Sequence, residues 1–238
     1  MVSKNKFVSI KNQTENSADL YFYGDIVSSW WGAWDDADQY PESIRDFLNE
    51  VEGTKNLNIY INSGGGNVFA GMAIYNMLKR HKAHKTVHID GLAGSIASVI
   101  AMAGDKIVIP SNAFLMIHKP WSWTEGNSND FRKLANDLDA IEEGILNVYA
   151  ERLREGVDLE TIRQMVQEET WINGLEAEKY FNIEVAEENH VAACSSDYFK
   201  NYSRVPKDLK NQTSQPKEQE MQESKEEINM KLIELELI

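Results

Sequence analysis

The stretch Asp90-Gly91-Leu92-Ala93-Gly94-Ser95-Ile96-Ala97-Ser98 limits what this chain can fold into more than any other. Residues 86–89 are apolar and β-prone, two glycines and an alanine interrupt that run, and small and apolar residues suited to a helix follow Ser95 directly. The pattern predicts a strand, a tight turn and a helix start. A serine in such a turn sits at a positive helix end, and its small neighbours let another backbone come close. It can cap the helix, or, beside a base, it can act as a nucleophile. The local sequence leaves both open.

The chain has 238 residues, enough for one large domain or two small ones with a substantial core. With 42% hydrophobic and 26% charged residues, most of it is expected to fold. The net charge of −14 argues against nucleic-acid phosphates or an anionic membrane surface as the main partner. A single cysteine, Cys194, excludes an internal disulfide and a cysteine-rich metal site, and suits a reducing, cytoplasmic setting. The N-terminus reads as no signal peptide, and the longest apolar run, residues 96–104, is far short of the roughly 20 residues that span a bilayer.

Residues 6–11 and 19–23 alternate as strands do. A tryptophan-rich loop follows with Trp30, Trp31 and Trp34, read first as a local cluster and second as a contact surface. Pro41 opens a helix that runs to about Val51. Residues 57–62 form a strand, Ser63-Gly64-Gly65-Gly66-Asn67 a turn, and residues 68–78 a helix. The glycines do not make a phosphate loop, because Asn67-Val68 stands where Lys-Ser/Thr is needed. They do offer unhindered N–H groups that could hold an oxyanion. Two short strands follow at 105–110 and 113–117, the second ending at His118-Lys119-Pro120. Residues 129–155 carry apolar positions at helical spacing, making a long amphipathic helix able to project towards another subunit. Helices at 159–167 and 175–180 and a last strand at 183–186 complete an α/β fold with strand ends gathered on one side. The compact domain is expected over 1–202. Residues 203–238 read as a polar, flexible tail with a possible terminal amphipathic helix, where Met221, Ile228 and Leu235 recur at heptad spacing.

Of the five histidines, His81, His84 and His88 lie in or beside a lysine-rich helix end and His190 lies in an acidic stretch. Only His118 closes an apolar strand, and its interest comes from Ser95.

These pieces together resemble the proteolytic subunit of the Clp protease (ClpP), a family of serine peptidases. The likeness rests on Tyr60-Ile61-Asn62-Ser63-Gly64-Gly65-Gly66, on Ala70-Gly71-Met72-Ala73-Ile74-Tyr75, on Gly91-Leu92-Ala93-Gly94-Ser95-Ile96-Ala97-Ser98, on Met116-Ile117-His118-Lys119-Pro120 and on Trp171-Ile172-Asn173-Gly174. It covers roughly residues 18–190. The tryptophan loop and Glu169-Thr170-Trp171 look most like phage-encoded members that mature capsid heads. The resemblance implies the ClpP/crotonase-like fold, a repeated β-β-α superhelix with a long projecting helix. It implies Ser95 as nucleophile, His118 as general base, and the N–H groups of Gly66 and Ile96 as oxyanion hole. Glu169 falls where the family's aspartate orients the histidine, with Glu168 as its rival. It also implies protein or peptide substrates, no cofactor, and self-association into heptameric or stacked heptameric rings through residues 129–155. An AAA+ unfoldase or phage capsid and scaffold proteins are the further partners implied. Two other readings stay open: a crotonase-type acyl-CoA enzyme, and a non-catalytic assembly or scaffold component.

Overall fold

The computed structural model describes residues 14, 16–33, 38–187 and 196–206. The expected strand at 6–11, Trp34, His190, Cys194 and the tail at 207–238 lie outside these described residues.

Alternation builds the sheet. In β1 (Ser17–Phe22), β2 (Asn56–Ser63) and β3 (His84–Gly94), the residues Ala18, Leu20, Phe22, Leu57, Ile59, Ile61, Val87 and Ile89 all point inward and are fully buried. On the other face, paired positions stack Tyr21 on Tyr60 and Tyr60 on His88, with ring centroids 4.7 and 5.1 Å apart. His84 and His88 therefore belong to a strand, not to the end of a helix. With β4 (Lys106–Pro110) and β7 (Glu184–Ala186), the order β1-β2-β3-β4-β7 is parallel throughout. β5 (Phe114–Ile117) pairs parallel with the far end of β3, and β6 (Thr170–Asn173) pairs antiparallel with β5.

Helices α1 (Pro41–Glu50), α2 (Val68–Arg80) and α3 (Ile96–Ala101) bury Ile44, Phe47, Ile74, Leu78 and Val99 in one core with the inward sheet face. Pro41 starts α1, and the Asn67 side chain caps α2 by accepting the Ala70 N–H. The fold is mixed α/β with a mainly parallel sheet, consistent with the expected class.

The structure differs from expectation in three places. Residues 91–94 continue β3 instead of turning, because β5 supplies their ladder and the Asn62 side chain accepts the Leu92 N–H. The stretch before Gly174, to which the sequence assigns no element, is the strand β6, paired along its whole length with β5. The long helix α4 (Ser128–Ala150) stops short of residue 155; Arg152 turns back to donate to the carbonyls of Met102 and Gly104 at the end of α3. Only the second half of α4 is buried, through Glu142, Ile145, Leu146, Val148 and Tyr149. Its first half stands out from the body with Phe131 exposed, and helices α5 (Leu159–Gln167) and α6 (Gly174–Tyr180) follow.

Candidate active site

Strand register brings the candidate residues together. Gly94 of β3 is paired with Met116 of β5, and the N–H of the next residue, Ser95, donates to the Met116 carbonyl at 2.8 Å. His118 lies two residues beyond Met116. Ile117 of β5 faces Thr170 of β6 in antiparallel register, so one further step sets His118 opposite Glu169. Three neighbouring strand ends thus carry Ser95, His118 and Glu169.

Ser95 leaves β3 with φ 53° and ψ −127°, a left-handed backbone that a residue with a Cβ rarely adopts. In this turn its Oγ stands 2.7 Å from His118 Nε2. The imidazole is largely buried. Desolvation pushes its pKa below the ordinary histidine value, and the Glu169 charge offsets part of that fall. A neutral ring beside a hydroxyl can accept its proton.

Glu169 also has a left-handed φ, 52°. Its Oε2 accepts the Ser203 N–H at 2.8 Å, and its Oε1 accepts the Arg204 N–H at 2.6 Å and the Trp171 indole N–H at 3.4 Å. Burial raises its pKa, but the two main-chain donors, the Trp171 indole and the His118 ring together outweigh this and hold the carboxyl below its usual range. Among the described residues no hydrogen bond joins Glu169 to the imidazole; the two interact through charge. Glu168 caps the end of α5 with its side chain mostly in solvent, 3.8 Å from the Arg204 guanidinium.

The glycine turn after β2 packs directly on this corner. Gly65 and Gly66 have φ of 105° and 146°, and a Cβ on Gly65 would come within 2.7 Å of the Gly94 carbonyl oxygen and of the Ser95 Cβ. The turn is held by Ile26, whose N–H donates to the Gly65 carbonyl and whose carbonyl accepts from the Asn67 N–H. Gly66 and Ser95 therefore border the same cleft, and the Ile96 N–H begins α3 with no carbonyl of that helix to bond. The cleft holds about 670 Å³ between Val68 and Phe69 of α2, Trp121 and Trp123 of the next loop, and Leu138 and Ile141 of α4.

Two supports have no local signal in the sequence. Ser98 is wholly buried beneath the site, where its Oγ donates to the Ser95 carbonyl at 2.5 Å and pairs with the Tyr149 hydroxyl at 2.7 Å. Among the described residues no hydrogen bond joins it to an imidazole. The second is the segment 196–206, whose Phe199, Tyr202 and Val205 form a small apolar cluster with Leu92 and Met116. The packed chain thus runs past the expected boundary at residue 202. Trp30 and Trp31 stack on each other, 3.9 Å between centroids, and remain exposed.

Among the described residues no group of three or more His, Cys, Asp or Glu could hold a metal ion. None of their helices is long and apolar enough to cross a membrane.

Comparison with known proteins finds relatives among Clp proteases. The ATP-dependent Clp protease proteolytic subunit of Bacteroides fragilis is 28% identical over 137 residues, 56% of this chain and 65% of that protein. That of Ligilactobacillus salivarius is 32% identical over 137 residues, 56% of this chain and 68% of its own length. That of Pleurastrum terricola is 30% identical over 141 residues, 58% and 70% of the two chains. The chain therefore spans about two thirds of the length of the curated relatives it matches. The Clp protease family model matches residues 40–186, a segment that holds β2 to β7, the glycine turn and all three strand ends, and on that match the chain belongs to the Clp protease family.

Proposed function

We propose that this chain is a serine endopeptidase that hydrolyses peptide bonds by acyl transfer. The observation that carries the reading is the 2.7 Å contact between Ser95 Oγ and His118 Nε2 at the base of a cleft. Ser95 Oγ attacks the peptide carbonyl carbon as its proton passes to His118 Nε2, and the oxyanion that forms is held by the N–H groups of Gly66 and Ile96. The C–N bond then breaks, His118 returns the proton to the leaving amine, and an ester on Ser95 remains. Water, deprotonated by His118, attacks that ester and frees the acid. Glu169 stabilises the imidazolium through its charge, the role of the third triad member.

The apolar cleft walls suit extended polypeptide chains, with Phe69, Trp121 and Trp123 available to grip large side chains. The half-exposed helix α4 supports assembly into rings, since its first half presents Phe131 uncovered by the other described residues. The test is cleavage of a fluorogenic peptide by the full chain, with Ser95→Ala and His118→Ala as controls. Turnover should fall by about 10⁴-fold or more in both. Full activity in Ser95→Ala would overturn the reading, and acyl-CoA turnover without peptide cleavage would favour a crotonase-type enzyme.

A further inference from the structure

The segment 196–206 touches His118, Glu169 and the turn that carries Gly66. The Tyr202 hydroxyl donates to the Gly64 carbonyl at 2.6 Å, in the turn that carries Gly66. The edge of its ring meets His118, with centroids 5.0 Å apart and planes at 74°. The next two main-chain N–H groups, of Ser203 and Arg204, grip both oxygens of Glu169. Behind these contacts the strap is anchored twice. Ser196 Oγ donates to Asp25 Oδ1 at 2.6 Å, and Phe199 and Val205 are buried with Leu92 and Met116, the latter paired with the residue before Ser95.

We propose that residues 196–206 position the acid–base pair of the peptidase, with Tyr202 as the positioning residue: its ring fixes the His118 imidazole and its place in the strap delivers the two donors that aim the Glu169 carboxylate. The inference rests on the peptidase reading for its kinetic consequence, and on contacts alone for its electrostatic one. Glu169 has no direct hydrogen bond to the imidazole among the described residues, so its influence on the ring depends on how its carboxylate is held. Two main-chain donors on adjacent residues hold both oxygens in one orientation. Other charges near the pair are engaged elsewhere: Lys119 with Glu142 and Asp139, and the Arg204 guanidinium with Glu168. The strap thus links residues 196–206 to chemistry on β3, β5 and β6.

The test is a cycle of Glu169→Gln and Tyr202→Ala in the full chain, read by NMR titration of the His118 ring and by kcat and KM on a peptide. In the native background Glu169→Gln lowers the His118 midpoint, because a negative charge that favours the protonated ring is gone. In the Tyr202→Ala background that drop should shrink to roughly half or less, and kcat should fall about tenfold with KM little changed. Tyr202→Phe, which keeps the ring, should restore most of the coupling. An equal drop in both backgrounds overturns the proposal. If Tyr202→Ala fails to fold, Tyr202→Leu, which removes the aromatic ring but keeps apolar volume, decides on the same readouts: a drop reduced to roughly half or less supports the proposal and an equal drop contradicts it. Failure of the peptidase reading appears separately, as cleavage that survives Ser95→Ala, while the titration result stands on its own.

Discussion

Ser95 and His118, twenty-three residues apart in the chain, are joined at 2.7 Å because Gly94 is paired with Met116. The pairing of two parallel strands, and not a flexible loop, sets the distance between hydroxyl and imidazole. Glu169 follows the same logic on the antiparallel side of β5. A site assembled on strand ends is held by the ladder, so its geometry and the stability of β3, β5 and β6 are linked.

The left-handed φ of Ser95 yields a stability prediction. Ser95→Gly and Ser95→Ala both remove the hydroxyl, but only glycine relaxes the backbone at φ 53°. Ser95→Gly should be more stable than Ser95→Ala by about 1 kcal/mol in urea denaturation, with neither variant active. Equal stabilities would show that the turn is not strained.

The pH dependence follows from His118. Catalysis needs the neutral ring, and burial lowers its pKa, so kcat/KM should hold its plateau below pH ~6.5, the ordinary histidine value, and decline only at more acid pH. Glu169→Gln should move this acid limb lower still while reducing kcat. The same shift affects stability: the native state favours the neutral ring, so stability is full above the unfolded value and is lost as pH falls through the folded one. An acid limb above the ordinary value would contradict the burial of the ring.

The ion pair beside the site gives a third prediction. Lys119 meets Glu142 Oε2 at 2.8 Å, and the Glu142 side chain is only 5% exposed, with Oε1 unpartnered among the described residues. Lys119→Met strands this carboxylate and should destabilise the fold by about 1–3 kcal/mol. Adding Glu142→Gln should recover much of the loss. Additive losses in the double variant would show that the pair is not coupled.

Assembly is tested on α4. Phe131 is 52% exposed on the half of the helix that stands clear of the body. If the chain forms the proposed rings, Phe131→Asp should shift it to smaller species in light scattering while its circular dichroism stays unchanged. A native chain that is monomeric at micromolar concentration would remove the ring proposal.

Much of this was legible in the sequence. The alternation of Leu57, Ile59 and Ile61 and the periodicity of residues 159–167 reflect burial on one face, which local spacing reports directly. Ser95 and His118 were visible because each ends an apolar run at a turn, while Glu169 needed the family likeness. Residues 91–94 read as a turn because glycine usually breaks strands, yet here its lack of a side chain admits the 64–66 turn against an extended chain. Tyr202 had no local signal. It sits among polar residues, and its partners Gly64, His118 and Trp171 are brought to it only by the completed sheet.

The most direct measurement of the central claim is labelling of the folded chain with a serine-directed fluorophosphonate, followed by mapping of the modified residue. The account predicts a single adduct on Ser95, formed more slowly in Glu169→Gln and absent in His118→Ala. An inert Ser95 in a well-folded assembly, or an adduct on Ser98 instead, would contradict it.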